Sequence, residues 1–211
     1  MGRAVEQRVE ILEQGNISIL YRPRVEHEEV ESLADVQRLL IVLAPSDGQQ
    51  QRIIAAGRKH LRDRFWGFVD LVSDPLHVAA ALDAHTYLTK TRGARYLPAA
   101  RVAAEGMYSL TSHEGHTHFA FNAALRDERD VDVESSGDFI VMAANPDPAA
   151  WGLAEVPPLQ EELFPEYEVH VEVPRPLFAD RFRGRRYIPL ERDMLDIPGV
   201  ELIFLGAHPE R

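Results

Sequence analysis

Two stretches of this chain spell nearly the same word, and a chain that repeats itself has few ways to fold. Arg183-Gly184-Arg185-Arg186-Tyr187-Ile188-Pro189 echoes Arg92-Gly93-Ala94-Arg95-Tyr96-Leu97-Pro98, 91 positions earlier. At an offset of 100, Gly15 falls on Gly115, the apolar run 39–44 on 139–144, and Asp47 on Asp147. Self-similarity that holds register over a turn and a strand points to internal duplication. The expected fold class is therefore α+β and internally duplicated, with two pseudo-symmetric units of a hairpin, a strand and a helix each around a mixed or antiparallel sheet. The units run over 1–106 and 107–211 and form one compact body.

The local signals fit such units. Val9–Leu12 and Ile17–Tyr21 flank Gln14-Gly15-Asn16 and read as a hairpin. Ser32–Asp35 carries a capping-box pattern for a helical turn or two. Leu39–Leu43 has the length of a buried strand, and Arg52–Arg58 and Phe65–Val72 read as two more. Asp74 caps a helix with Pro75 at its first position, which should run to about Tyr87. Met107–Leu110 and His116–Phe121 make a second hairpin, and Phe139–Ala144 a strand. Residues 145–176 hold seven of the 14 prolines and read as an irregular excursion, with a strand at Tyr167–Val173. A short helix near Pro176–Phe182 and a strand at Val200–Leu205 close the chain.

Composition bounds the chemistry. With 211 residues, 45% of them apolar, a core needs no staples. There is no cysteine, which removes disulfides, thiolate metal sites and cysteine nucleophiles. No signal-peptide run or membrane-length apolar stretch occurs, so a cytoplasmic protein without a membrane partner is expected. The net charge of −11 makes nucleic acid an unfavourable partner. Charge is nonetheless uneven. Residues 50–101 carry nine basic against four acidic side chains, and residues 175–192 carry six against two. Each basic island contains one copy of the repeat.

Three constellations are candidates for function. In the repeats, arginine forks match phosphate or carboxylate oxygens, glycine lets the backbone approach an anion, and tyrosine adds a flat face. If the copies face each other, Arg92, Arg95, Tyr96, Arg183, Arg185, Arg186 and Tyr187 line a cleft for a small polyanion. The competing reading is that the arginines neutralise acidic segments such as Glu26, Glu28, Glu29 and Glu31, at corners the fold needs anyway. The second constellation is His113, His116 and His118, spaced to offer imidazoles to a divalent metal with Glu114 or Asp138 in support. The third is Arg58–Trp66, where bases meet aromatics as on single-strand platforms, and where a solvated turn before a core strand is the plainer explanation.

Tyr21-Arg22-Pro23-Arg24-Val25-Glu26, Phe65-Trp66-Gly67-Phe68-Val69-Asp70, Lys90-Thr91-Arg92-Gly93, His116-Thr117-His118 and Phe182-Arg183-Gly184-Arg185-Arg186 together resemble a set of bacterial proteins of uncharacterised function. The resemblance implies a bacterial cytosolic protein and carries over no activity. The function expected is that of a non-catalytic binding or accessory protein without a cofactor, holding a phosphate-bearing metabolite, a nucleotide or an acidic partner at paired arginine loops. The alternative is a metal-dependent hydrolase using the three histidines. A third reading gives Trp151 and the proline-rich excursion to a partner or homodimer surface.

Overall fold

The computed structural model describes residues 9–57, 61, 63–89, 91, 93–126, 133–152 and 179–207. Its strands are β1 (Glu10–Pro23), β2 (Val36–Pro45), β3 (Gln51–Ala56), β4 (Arg64–Ser73), β5 (His85–Thr89), β6 (Gly93–Leu97), β7 (Arg101–His113), β8 (His116–Leu125), β9 (Ser136–Ala144), β10 (Tyr187–Pro189) and β11 (Glu201–Gly206). Among the described residues there are also two short α-helices, α1 (Pro75–Leu82) and α2 (Ala179–Phe182), and 3-10 turns at Pro148–Trp151 and Arg192–Asp196. Hydrogen bonding runs β9-β11-β4-β3-β2-β1-β7-β8 and back to β9, so eight antiparallel strands close into a barrel. The α+β expectation is thereby corrected: the fold is mostly β, with 57% of the described residues in strands against 12% in helices. It is not a pair of hairpin–strand–helix units.

Closure is written in the alternation of side chains. Along β8, Thr117, Phe119, Phe121 and Ala123 are buried and point inward, while their neighbours face solvent. This is the period of a strand with one wet face. β2 and β3 are buried on both faces, because α1 covers the outside of the barrel there. Leu20, Leu40, Val42, Ile53, Ala55, Phe68 and Val78 form this outer layer, and Val78 is the buried residue of α1. That is why β2 reads as an unbroken apolar run and β8 does not.

The interior is solid. Phe65 stacks on Phe204 at 4.3 Å, and Phe139 meets both rings edge-on at 5.3 and 6.2 Å. Each such side chain stabilises the fold by roughly 1.5–3 kcal/mol through burial. Met194 and Leu195, in the 3-10 turn before β11, close one end of this core. Val30, Leu61 and Val133, on the loops of the other end, join the same cluster.

Three further expectations change. Gln14-Gly15-Asn16 is not a turn; β1 runs straight through it, pairing with β2 on one side and β7 on the other. Glycine stands there because a Cβ would run into the carbonyl oxygen of Ala44, a close approach of the kind that places glycine inside strands. Ser32–Asp35 forms a turn and no helix, with Asp35 Oδ2 accepting from the Glu31 and Ser32 amides at 3.2 and 3.1 Å. α1 begins as expected, with Asp74 Oδ1 accepting from the Leu76 and His77 amides at 2.9 and 3.2 Å. It stops at Leu82, however, and Tyr87 lies in β5. Arg22, buried on β1, ends it by donating to Ala81 O at 2.8 Å and to Pro98 O at 2.8 Å, a cation at a helix C-terminus. The strand expected at Tyr167–Val173 and most of the excursion lie outside the described residues.

Candidate anion-binding corner

The two copies of the repeat share a glycine conformation and then meet different neighbours. Gly93 and Gly184 are left-handed, at φ 71° and 74°, and each leads into a short strand carrying a tyrosine three residues on.

The first copy belongs to a two-stranded sheet, β5 with β6, outside the barrel. There the Glu26 amide donates to Tyr96 O at 2.9 Å, and the Tyr96 amide donates to Glu26 Oε1 at 2.8 Å. The Tyr96 hydroxyl donates to Glu28 Oε1 at 2.9 Å, and this bond raises its pKa above the ordinary tyrosine value. Arg95 Nε lies 3.5 Å from Glu26 Oε1. The acidic segment thus occupies the groups that were expected to take an outside anion. Arg92 lies outside the described residues.

The second copy forms a corner at one end of the barrel. After α2 the chain turns through Arg183, at φ 47°, and Gly184, and Tyr187 then opens β10 opposite Ala144 of β9. Arg183, Arg185 and Arg186 are all exposed. Among the described residues no carboxylate stands within ion-pair distance of any of them, although Arg181, one turn earlier, takes both Glu191 and Asp193 at 3.0 and 2.7 Å.

Asn145, 8% exposed, holds this corner together. Its Nδ2 donates to Arg185 O at 2.8 Å, its amide donates to Arg186 O at 2.8 Å, and its carbonyl accepts from Trp151 Nε1 at 2.9 Å. The Trp151 ring is thereby fixed edge-to-face against Tyr187 at 5.1 Å, and Tyr187 continues to Trp66 at 5.9 Å. The Arg186 guanidinium lies over the Trp151 ring, 5.7 Å from its centroid. Burial raises the Tyr187 hydroxyl above its usual pKa. No family model, curated protein or solved structure matches the chain.

The two copies do not face each other. β9 pairs with β8 from Ile140 opposite His118 onward, which puts Ala144 and Tyr187 level with the β7–β8 turn and the start of β1. Arg22 and Pro98, next to the first copy, lie at the finish of β1. The expected cleft between the loops is not formed.

His116 and His118 share the outer face of β8, as their spacing of two implies, and the hairpin sets His113 of β7 opposite His116. His113 and His118 stack at 4.3 Å with 21° between their planes, and His118 Nδ1 is 3.4 Å from Asp138 Oδ1. Their rings lie flat on one another, and among the described residues no three His, Asp or Glu side chains are grouped to hold a metal ion. Of the third constellation, Arg58, Lys59, His60 and Arg62 lie outside the described residues. Trp66 serves the aromatic row beside the corner.

Sequence reasoning missed a buried ion network under the 3-10 turn. Glu13 Oε1 accepts from Arg52 Nη1 and from the Tyr108 hydroxyl, both at 2.6 Å, and Oε2 accepts from Arg192 Nε at 2.9 Å. Arg52 also donates from Nε and Nη2 to Asp196 Oδ1 at 2.8 and 2.6 Å. Burial alone would raise the Glu13 carboxyl, but the bonds from Arg52 and Tyr108, the Arg52 charge and the Arg192 bond hold it below the ordinary value. The available signal was an arginine heading the apolar strand 51–56 in inward phase. Asn145 carried a signal too, since Asn-Pro-Asp is a turn sequence.

Proposed function

We propose that the protein is a non-catalytic, cytosolic binding protein that holds a small polyanion at the corner formed by Arg183, Arg185 and Arg186. The observation that carries this reading is the contrast between the two copies of the repeat. Arg95 is engaged by Glu26, whereas three exposed guanidiniums of the second copy have no carboxylate among the described residues, in a chain of net charge −11. Asn145 holds the backbone of two of these arginines through the Arg185 and Arg186 carbonyls. Planar forks presented this way suit phosphate oxygens bidentately.

The test is thermal unfolding against a panel of phosphate, pyrophosphate, sulfate and nucleotides. Stabilisation that rises with ligand concentration is expected, lost in Arg186→Ala and kept in Arg95→Ala. A panel that moves no midpoint, or a shift indifferent to Arg186→Ala, overturns the reading.

A further inference from the structure

Trp151 is the one part of the corner that charge alone does not explain. Its indole is anchored by the Nε1 bond to Asn145 O and braced edge-to-face by Tyr187, so the ring is held in one orientation. Above it lies a guanidinium plane, that of Arg186. A ring face that accepts a flat cation also accepts a flat heterocycle, and arginine beside an aromatic ring is the usual pairing where bases stack. The residue fixing the indole is the residue fixing the backbone of Arg185 and Arg186. One residue therefore holds both the aromatic platform and the backbone that carries Arg185 and Arg186.

We infer that the ligand of this corner is a mononucleotide, its base stacked on Trp151 and its phosphates on Arg183, Arg185 and Arg186. This rests on the polyanion reading above and narrows it. Arg186 leaves the indole when the base arrives and joins the other two arginines on the phosphates, so one binding event exchanges a cation–π contact for a stack and an ion pair. Asn145 is a positioning residue in this scheme, because it touches the backbone and the indole and not the ligand.

The experiment is isothermal titration of the full chain, in EDTA, with ATP, with tripolyphosphate and with adenosine. ATP is expected to bind about tenfold or more tighter than tripolyphosphate, the range that one base–aromatic stack supplies. Trp151→Leu should bring ATP down to the tripolyphosphate value while leaving tripolyphosphate unchanged. Asn145→Ala should weaken both. Equal binding of ATP and tripolyphosphate by the unmutated protein overturns the nucleotide assignment and leaves the polyanion reading standing. Binding of neither overturns both. Binding of adenosine as tight as that of ATP contradicts the arginine half and with it the polyanion reading.

Discussion

Arg52 Nη1 donates to Glu13 Oε1 at 2.6 Å, with both side chains almost wholly out of solvent. The pair joins β1 to β3 across the barrel mouth, and through Asp196 and Arg192 it ties down the 3-10 turn that closes that end. Two arginines meet Glu13 and Asp196 there, with exposed Asp47 3.9 Å from Arg192 at the rim.

Removing one partner strands a buried charge. Arg52→Met or Glu13→Gln alone should each cost about 3–5 kcal/mol. The double variant removes one charge of each sign, leaves Arg192 paired with Asp196, and should cost less than the two singles added. A double-mutant cycle from urea unfolding checks this, with a coupling of about 2 kcal/mol expected and simple additivity as the contrary result.

The same network sets a pH dependence. A carboxyl held below its unfolded value stabilises the fold above about pH 4.3, and that contribution fades as pH falls through the lower folded value. Between about pH 4.5 and 2.5 the urea midpoint of the unmutated protein should therefore drop more steeply than that of Glu13→Gln. The gap between them should narrow; a gap that stays constant contradicts the assignment.

Backbone contact at Gly106 of β7 gives a third expectation. A Cβ on Gly106 would meet the carbonyl oxygen of Asn122, whereas one on Gly48 would find Pro45 Cβ at 3.4 Å, an ordinary contact. Gly106→Ala should cost about 1–3 kcal/mol, as overpacking does, and Gly48→Ala should be close to neutral. Equal midpoints for the two variants would show that β7 can shift away from β8.

Several strands were legible because they carry their own period, as in the unbroken apolar run of β2 and the alternation of β8, whereas β5, β6 and β10 were not, and β1 was expected to turn at Gly15. The partners of the legible strands were not, since the barrel closes through strands far apart in sequence, with Gly15 of β1 opposite Tyr108 of β7 and Phe68 of β4 opposite Glu201 of β11. Gly15 misled because glycine marks turns and close approaches alike, and only the position of Ala44 decides between them. The repeat misled in the same way. Its seven residues encode a left-handed glycine and a following strand, and nothing in them records that Tyr96 will meet Glu28 while Tyr187 meets Trp151. The arginine corner was visible as residue types. Its restraint by Asn145, 40 positions from Arg185, was not.

The arginine corner is tested most directly by calorimetric titration of tripolyphosphate into the unmutated protein and into Arg185→Ala/Arg186→Ala. Saturable binding of one equivalent is expected, weakened at least about tenfold in the variant by the loss of charge-assisted hydrogen bonds. Absence of saturable heat, or the same affinity in both proteins, would contradict the account.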